Sequence, residues 1–153
     1  MAEEQPQAQM GFNIEKLYVK DLSVEVPGAP AVFLEREQPQ IDVQLNTQAN
    51  NIGLDMFEVT ITSTINAKIK DKTAFLVEIT QAGIFRIQGV PQDQLPMVLG
   101  IGCPNIVFPY LRESISDVVI RAGFPPMLLN PVNFEALFMQ QQQAAQQPGS
   151  ATH

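Results

Sequence analysis

The sequence predicts an α+β domain with its strands first and its helices last. Three observations carry this. Phe57 to Lys70 alternates apolar and polar residues over about seven repeats, the period of a strand with one dry and one wet face. That periodicity ends at Pro91. Beyond Pro109, apolar residues recur at helical spacing. At 153 residues the chain fits one domain, and its 45% hydrophobic content is enough for a core.

In chain order, Met1 to Gly11 is a polar arm rich in Gln and Glu, expected to be disordered. Phe12 to Val26 is extended, with Ile14, Tyr18, Leu22 and Val24 on one parity and Leu17 and Val19 on the other. The switch predicts a bulge or a strand covered on both sides. Pro27, Gly28 and Pro30 end it. Ala31 to Pro39 is a connection. Ile41, Val43 and Leu45 alternate with Asp42, Gln44 and Asn46 as a half-buried strand, and Thr47 to Gly53 is expected to turn. After Phe57–Lys70, Asp71-Lys72 is the expected hairpin turn. Thr73 to Ile87 returns with Phe75, Val77 and Ile79 on one face and Ala74, Leu76, Glu78, Thr80 and Ala82 on the other. Gly83 is expected at a bend or bulge.

Leu95 to Gly102 is apolar but broken by Pro96, Gly100 and Gly102. A helix is expected to start at Pro109. Leu111, Ile115, Val118, Val119 and Ala122 form its apolar side, Asp117 four before Arg121 supports it, and Gly123 with Pro125-Pro126 stops it. A second helix follows the N-cap Asn133, with Phe134, Leu137 and Phe138 as its stripe. Domain bounds of 12–139 follow, with a Gln-rich flexible tail from Gln140 to His153.

Composition narrows function. Asp and Glu number 16 against 9 Lys and Arg, a net of -7, so phosphate backbones repel the chain and nucleic acid is not an expected partner. Charged residues are only 16%, a deficit that hints at apolar surface held against a partner. One cysteine, Cys103, permits no internal disulfide. Met1 to Met10 lacks a basic and then apolar leader, and no run of about 18 apolar residues occurs. A cytosolic location is expected.

Catalytic and metal chemistry find little support. The only histidine is the terminal His153. Cys103 lies among apolar residues and reads as a buried or interface thiol. Gly100-Ile101-Gly102 begins a dinucleotide loop but has Asn105 where the third glycine belongs. Asp42 and Glu58 are strand carboxylates that an acid–base enzyme would need to bring together. No cofactor and no metal is expected. Two features suggest binding instead: the apolar Phe134, Leu137, Phe138 and Met139, and the acidic Asp21, Glu25 and Glu78.

The segments YVKDLSVEVPGAP (18–30), TAFLVEITQAGIF (73–85), CPNIVFPYLRE (103–113) and PVNFEALF (131–138) resemble SecB, the bacterial protein-export chaperone family. The likeness runs from about Phe12 to Met139, in order. It implies a four-stranded antiparallel sheet with two helices per subunit, assembled as a homotetramer, a dimer of dimers. It implies an ATP-independent holdase without cofactor that keeps unfolded precursor polypeptides competent for export and passes them to the SecA motor, touching the membrane only through SecA. SecA docking would map to Asp21, Glu25, Leu76 and Glu78, the client groove to Ile41, Val43, Leu45, Leu137 and Phe138, and the tetramer interface to Val77, Ile79 and Gln81. Val24 stands where an aromatic is common in the family. Two other readings are a SecB-like chaperone serving a toxin–antitoxin pair and a small α+β enzyme using surface carboxylates.

Overall fold

In the computed structural model, which describes residues 10–146, one antiparallel sheet has the strand order β1-β4-β3-β2. The strands are β1 (Gly11–Glu25), β2 (Gln40–Gly53), β3 (Met56–Ile69) and β4 (Lys72–Gln88). The connection between β1 and β2 crosses from one edge of the sheet to the other through a 3-10 turn at Ala31–Leu34. The helices come last: a short turn α1 (Leu95–Met97), a π turn (Val98–Gly102), α2 (Cys103–Arg121) and α3 (Phe134–Gln146). The arm residues 1–9 and the tail residues 147–153, His153 included, lie outside the described residues.

β3 forms as its alternation predicts. Val59, Ile61, Ile65 and Ala67 are fully buried, and they meet Val77, Ile79 and Phe75 of β4 on the side that α2 covers. Leu111, Ile115 and Val119 of α2 complete this core. The opposite sheet face has no layer over it among the described residues.

Several local readings change. The parity switch in β1 is two register shifts, between Ile14 and Lys16 and between Val19 and Asp21. Each extra residue flips the pleat. Thr47–Gly53 is strand, not turn: it pairs with β3 from Ile61 to Met56, and its polar side chains are tolerated because β2 is an edge. The β3–β4 turn falls at Lys70-Asp71, where both residues have positive φ (50° and 65°), as a tight two-residue hairpin requires. Gly83 marks no bulge in β4. It pairs in register with Val59, and a Cβ there would lie 2.7 Å from the Phe85 ring.

Pro109 lies inside α2 rather than at its start, because the helical path begins at Leu95 and runs on through the π turn. Pro96 and Pro104 occupy early helical positions, where a missing N–H costs least. Pro109 is exposed and forgoes only one bond, to the Asn105 carbonyl. The C-terminus of α2 is as expected. Gly123 adopts φ 95°, its N–H donates to the Ile120 carbonyl, and Phe124 N–H donates to the Val119 carbonyl. Asn133 Oδ1 accepts the Ala136 N–H at 3.0 Å and caps α3. α3 then continues through Gln140 to Gln146.

Candidate functional site: an acidic sheet face and apolar clefts

The open sheet face gathers the acidic residues. Ser23 of β1 lies opposite Glu78 of β4, so Asp21 and Glu25, two residues to either side, flank that carboxylate. Leu76 faces Glu25 directly. Asp21, Glu25 and Glu78 are exposed and Leu76 half-buried. Strand pairing thus brings together four residues up to 57 positions apart. Thr64 Oγ1 donates to Glu78 at 3.2 Å, and no salt bridge engages Asp21, Glu25 or Glu78 among the described residues.

Beside this patch Glu58 of β3 reaches toward β1. Lys20 Nζ lies 2.8 Å from Glu58 Oε1, and the Tyr18 hydroxyl donates to Oε2. These two hydrogen bonds, Lys20's first, hold the Glu58 carboxyl below its ordinary range. Burial, reinforced by the carboxylate it bonds, pushes Tyr18 up to about 12. Asp42 lies opposite Asn66, eight residues along β3 from Glu58, which is about 26 Å at strand rise. Two carboxylates that far apart cannot share one reacting bond, so the Asp42–Glu58 enzyme reading has no common site. Cys103 is fully buried, and burial pushes its thiol up to about 12, away from thiolate reactivity.

On the helix side, two clefts open beside β2. One, of about 460 Å³, is lined by Thr47, Ala49, Leu95, Leu99 and Phe138 among others. The other, of about 260 Å³, is lined by Ile41, Phe75, Val119, Phe124 and Met127 among others. Of the expected groove residues, Ile41 and Phe138 therefore line clefts. Val43, Leu45 and Leu137 are half-buried against the core instead. Sequence reading missed Leu95 and Leu99, whose spacing of four was readable as a helical stripe. It also missed Phe124, which the Gly123 cap turns back onto Phe75 at 4.6 Å between ring centroids. Phe138 reaches its cleft because residue 100 is glycine. A Cβ there would stand 2.5 Å from the Phe138 ring.

The residues of the expected interface set lie beneath α2. Val77 and Ile79 are 0% exposed and Gln81 4%, all beneath α2, with Ser114 Oγ donating to Gln81 Oε1 at 3.2 Å. In the single chain they present almost no surface. Exposed apolar surface lies instead on the outer strand, where Phe12, Ile14, Val19, Leu22 and Val24 remain 37–48% exposed. Their β4 partners Ile87, Phe85, Gln81, Ile79 and Val77 are buried, which places the five on the helix side of the sheet.

A chain with an acidic open face, apolar clefts on the other side and an uncovered apolar edge belongs to the class of binding proteins that work through surfaces. Comparison with known proteins then gives the family. The family model for the preprotein translocase subunit SecB matches residues 4–145. The protein-export protein SecB of Thiobacillus denitrificans is 74% identical over 140 residues, 92% of each chain. That of Methylobacillus flagellatus is 56% identical over 157 residues and covers both chains fully. A SecB-like chaperone of Mycobacterium tuberculosis, solved with an antitoxin peptide, superposes with a TM-score of 0.66 at 16% identity, covering 79% of this chain and 90% of that one. It shares the fold. The chain belongs to the SecB family of protein-export chaperones.

Proposed function

We propose that this protein is a cytosolic, ATP-independent holdase, a homotetramer built as a dimer of dimers, that binds unfolded precursors and delivers them to SecA. The observation that carries the reading is the division of labour across the sheet. Apolar clefts lie on the helix side, and the other face carries Asp21, Glu25 and Glu78, which no salt bridge engages among the described residues. The clefts suit many weak apolar contacts with an extended client, whose affinity comes from repetition rather than sequence. A folded protein has hidden the same side chains and is passed over. Asp21, Glu25 and Glu78 with Leu76 suit a basic segment of SecA, which charge complementarity would steer and orient. In this reading membrane contact runs through SecA; no described helix is long and apolar enough to cross a membrane.

Assembly is supported by the β1 stripe from Phe12 to Val24, too apolar to be left in water. Val77, Ile79 and Gln81 act on assembly from inside, through the seat they give α2.

The test is refolding of a denatured precursor without ATP. Stoichiometric protein should slow it severalfold, while light scattering reports a particle of four 16.9 kDa subunits. SecA should bind that particle, and Glu78→Lys should weaken SecA without affecting the refolding block. An unchanged refolding rate, or a monomer at micromolar concentration, contradicts the proposal.

A further inference from the structure

We propose that Glu58, steadied by Tyr18, holds Lys20 away from the docking carboxylates, so that Asp21 meets its partner without a neighbouring counter-ion. This inference rests on the reading of that face as the dock for a basic segment.

Lys20 is the extra residue of the second β1 bulge. Val19 pairs with Gln81 and Asp21 with Thr80, and Lys20 between them has no partner on β4. A bulge re-aims a side chain. Here it places the only β1 lysine adjacent to a docking carboxylate on the open face, directly before Asp21. Left to itself, an ammonium there would neutralise part of the patch. It is instead 2.8 Å from Glu58 Oε1, across β4, and the Glu58 side chain is only 13% exposed. The Tyr18 hydroxyl holds the other Glu58 oxygen, which fixes the carboxylate's orientation. Arg86, a cation further along the same face, is likewise engaged, by Glu15 at 3.0 Å. Among the described residues no such cation pairs with Asp21, Glu25 or Glu78. Glu58 is thus a positioning residue for docking: it touches no partner and acts through Lys20.

The experiment measures binding of purified SecA, with a Lys/Arg-rich synthetic peptide as a second ligand. The proteins are tetrameric wild type, Glu58→Gln, Lys20→Met and the double variant. Glu58→Gln should weaken SecA and the peptide by about three- to tenfold at low salt and less at high salt, as one freed surface charge would. Lys20→Met should bind as well as wild type or better. The double variant should return to within about twofold of Lys20→Met. That rescue separates charge placement from mere support of β1, which removing a lysine could not restore. A double variant as weak as Glu58→Gln overturns the inference, as does unchanged binding by Glu58→Gln. If Glu58→Gln does not assemble, Tyr18→Phe provides the same comparison, weaker than wild type and rescued by Lys20→Met. Wild-type protein that binds neither SecA nor the peptide defeats the docking reading itself. Wild-type binding that Glu78→Lys weakens but Glu58→Gln leaves unchanged defeats this inference alone.

Discussion

At the scale of the residue, environment assigns each carboxylate its work. Glu58 and Glu78 are both on the open face, yet one is half-buried beneath a lysine and a tyrosine and the other is exposed, held only by the Thr64 hydroxyl among the described residues. The Glu58 carboxyl is held below its ordinary 4.5 by those bonds, so the folded state favours its charged form. Its stabilisation is therefore complete above pH 4.5 and disappears as pH falls through the lower folded value. The melting-temperature gap between wild type and Glu58→Gln should be largest near neutrality and narrow on acidification below pH 4.5. A gap constant from pH 7 to pH 3 would mean that the pair contributes nothing through charge. Little of this was legible in the chain. Glu58 looked like one polar residue of an alternating strand, and only the β1 bulge at Lys20 brings the ammonium to it. Asp21, Glu25 and Glu78 stood out as acidic residues on strands, but Leu76 and the docking role joined them only through family resemblance. Their parities on β1 and β4 allowed one face, but the pairing of β1 with β4 is a long-range fact that periodicity does not encode.

At the scale of the element, alternation and caps were readable and interruptions were not. β3 has its predicted faces, and Gly123 and Asn133 cap the helices as their types suggest. Prolines misled. Pro109 resembled a helix start because proline is at home there, and only the exposed position shows why mid-helix is tolerated. Polar Thr47–Gly53 resembled a turn because an edge strand need not alternate strongly. Gly100 read as a break in an apolar run, a flexible or closely packed connection, and is a seat for Phe138. That gives a prediction opposed to propensity. In an open helix Gly→Ala gains up to about 1 kcal/mol. Here the added Cβ would crowd the ring, so Gly100→Ala should loosen α3 instead. Hydrogen exchange should show Leu137 to Gln146 losing protection while β3 and β4 keep theirs; stronger α3 protection would contradict the close packing.

At the scale of the whole molecule, one sheet separates two kinds of recognition. The helix side carries the core, with apolar clefts beside it; the open side carries charge. Composition had pointed this way through its charge deficit, but the location of the clefts depends on how α3 and the turn after α2 pack against the sheet, a long-range arrangement that their local patterns do not encode. The central claim is that the clefts at Ile41 and Phe138 take up polypeptide that has not folded. Photo-crosslinking amino acids placed at positions 41 and 138, with position 68 on the open face as control, test it directly. Both cleft positions should label a denatured precursor without ATP and leave the folded form unlabelled, while position 68 labels neither. Equal labelling of folded and unfolded protein, or none from either cleft, would contradict the account.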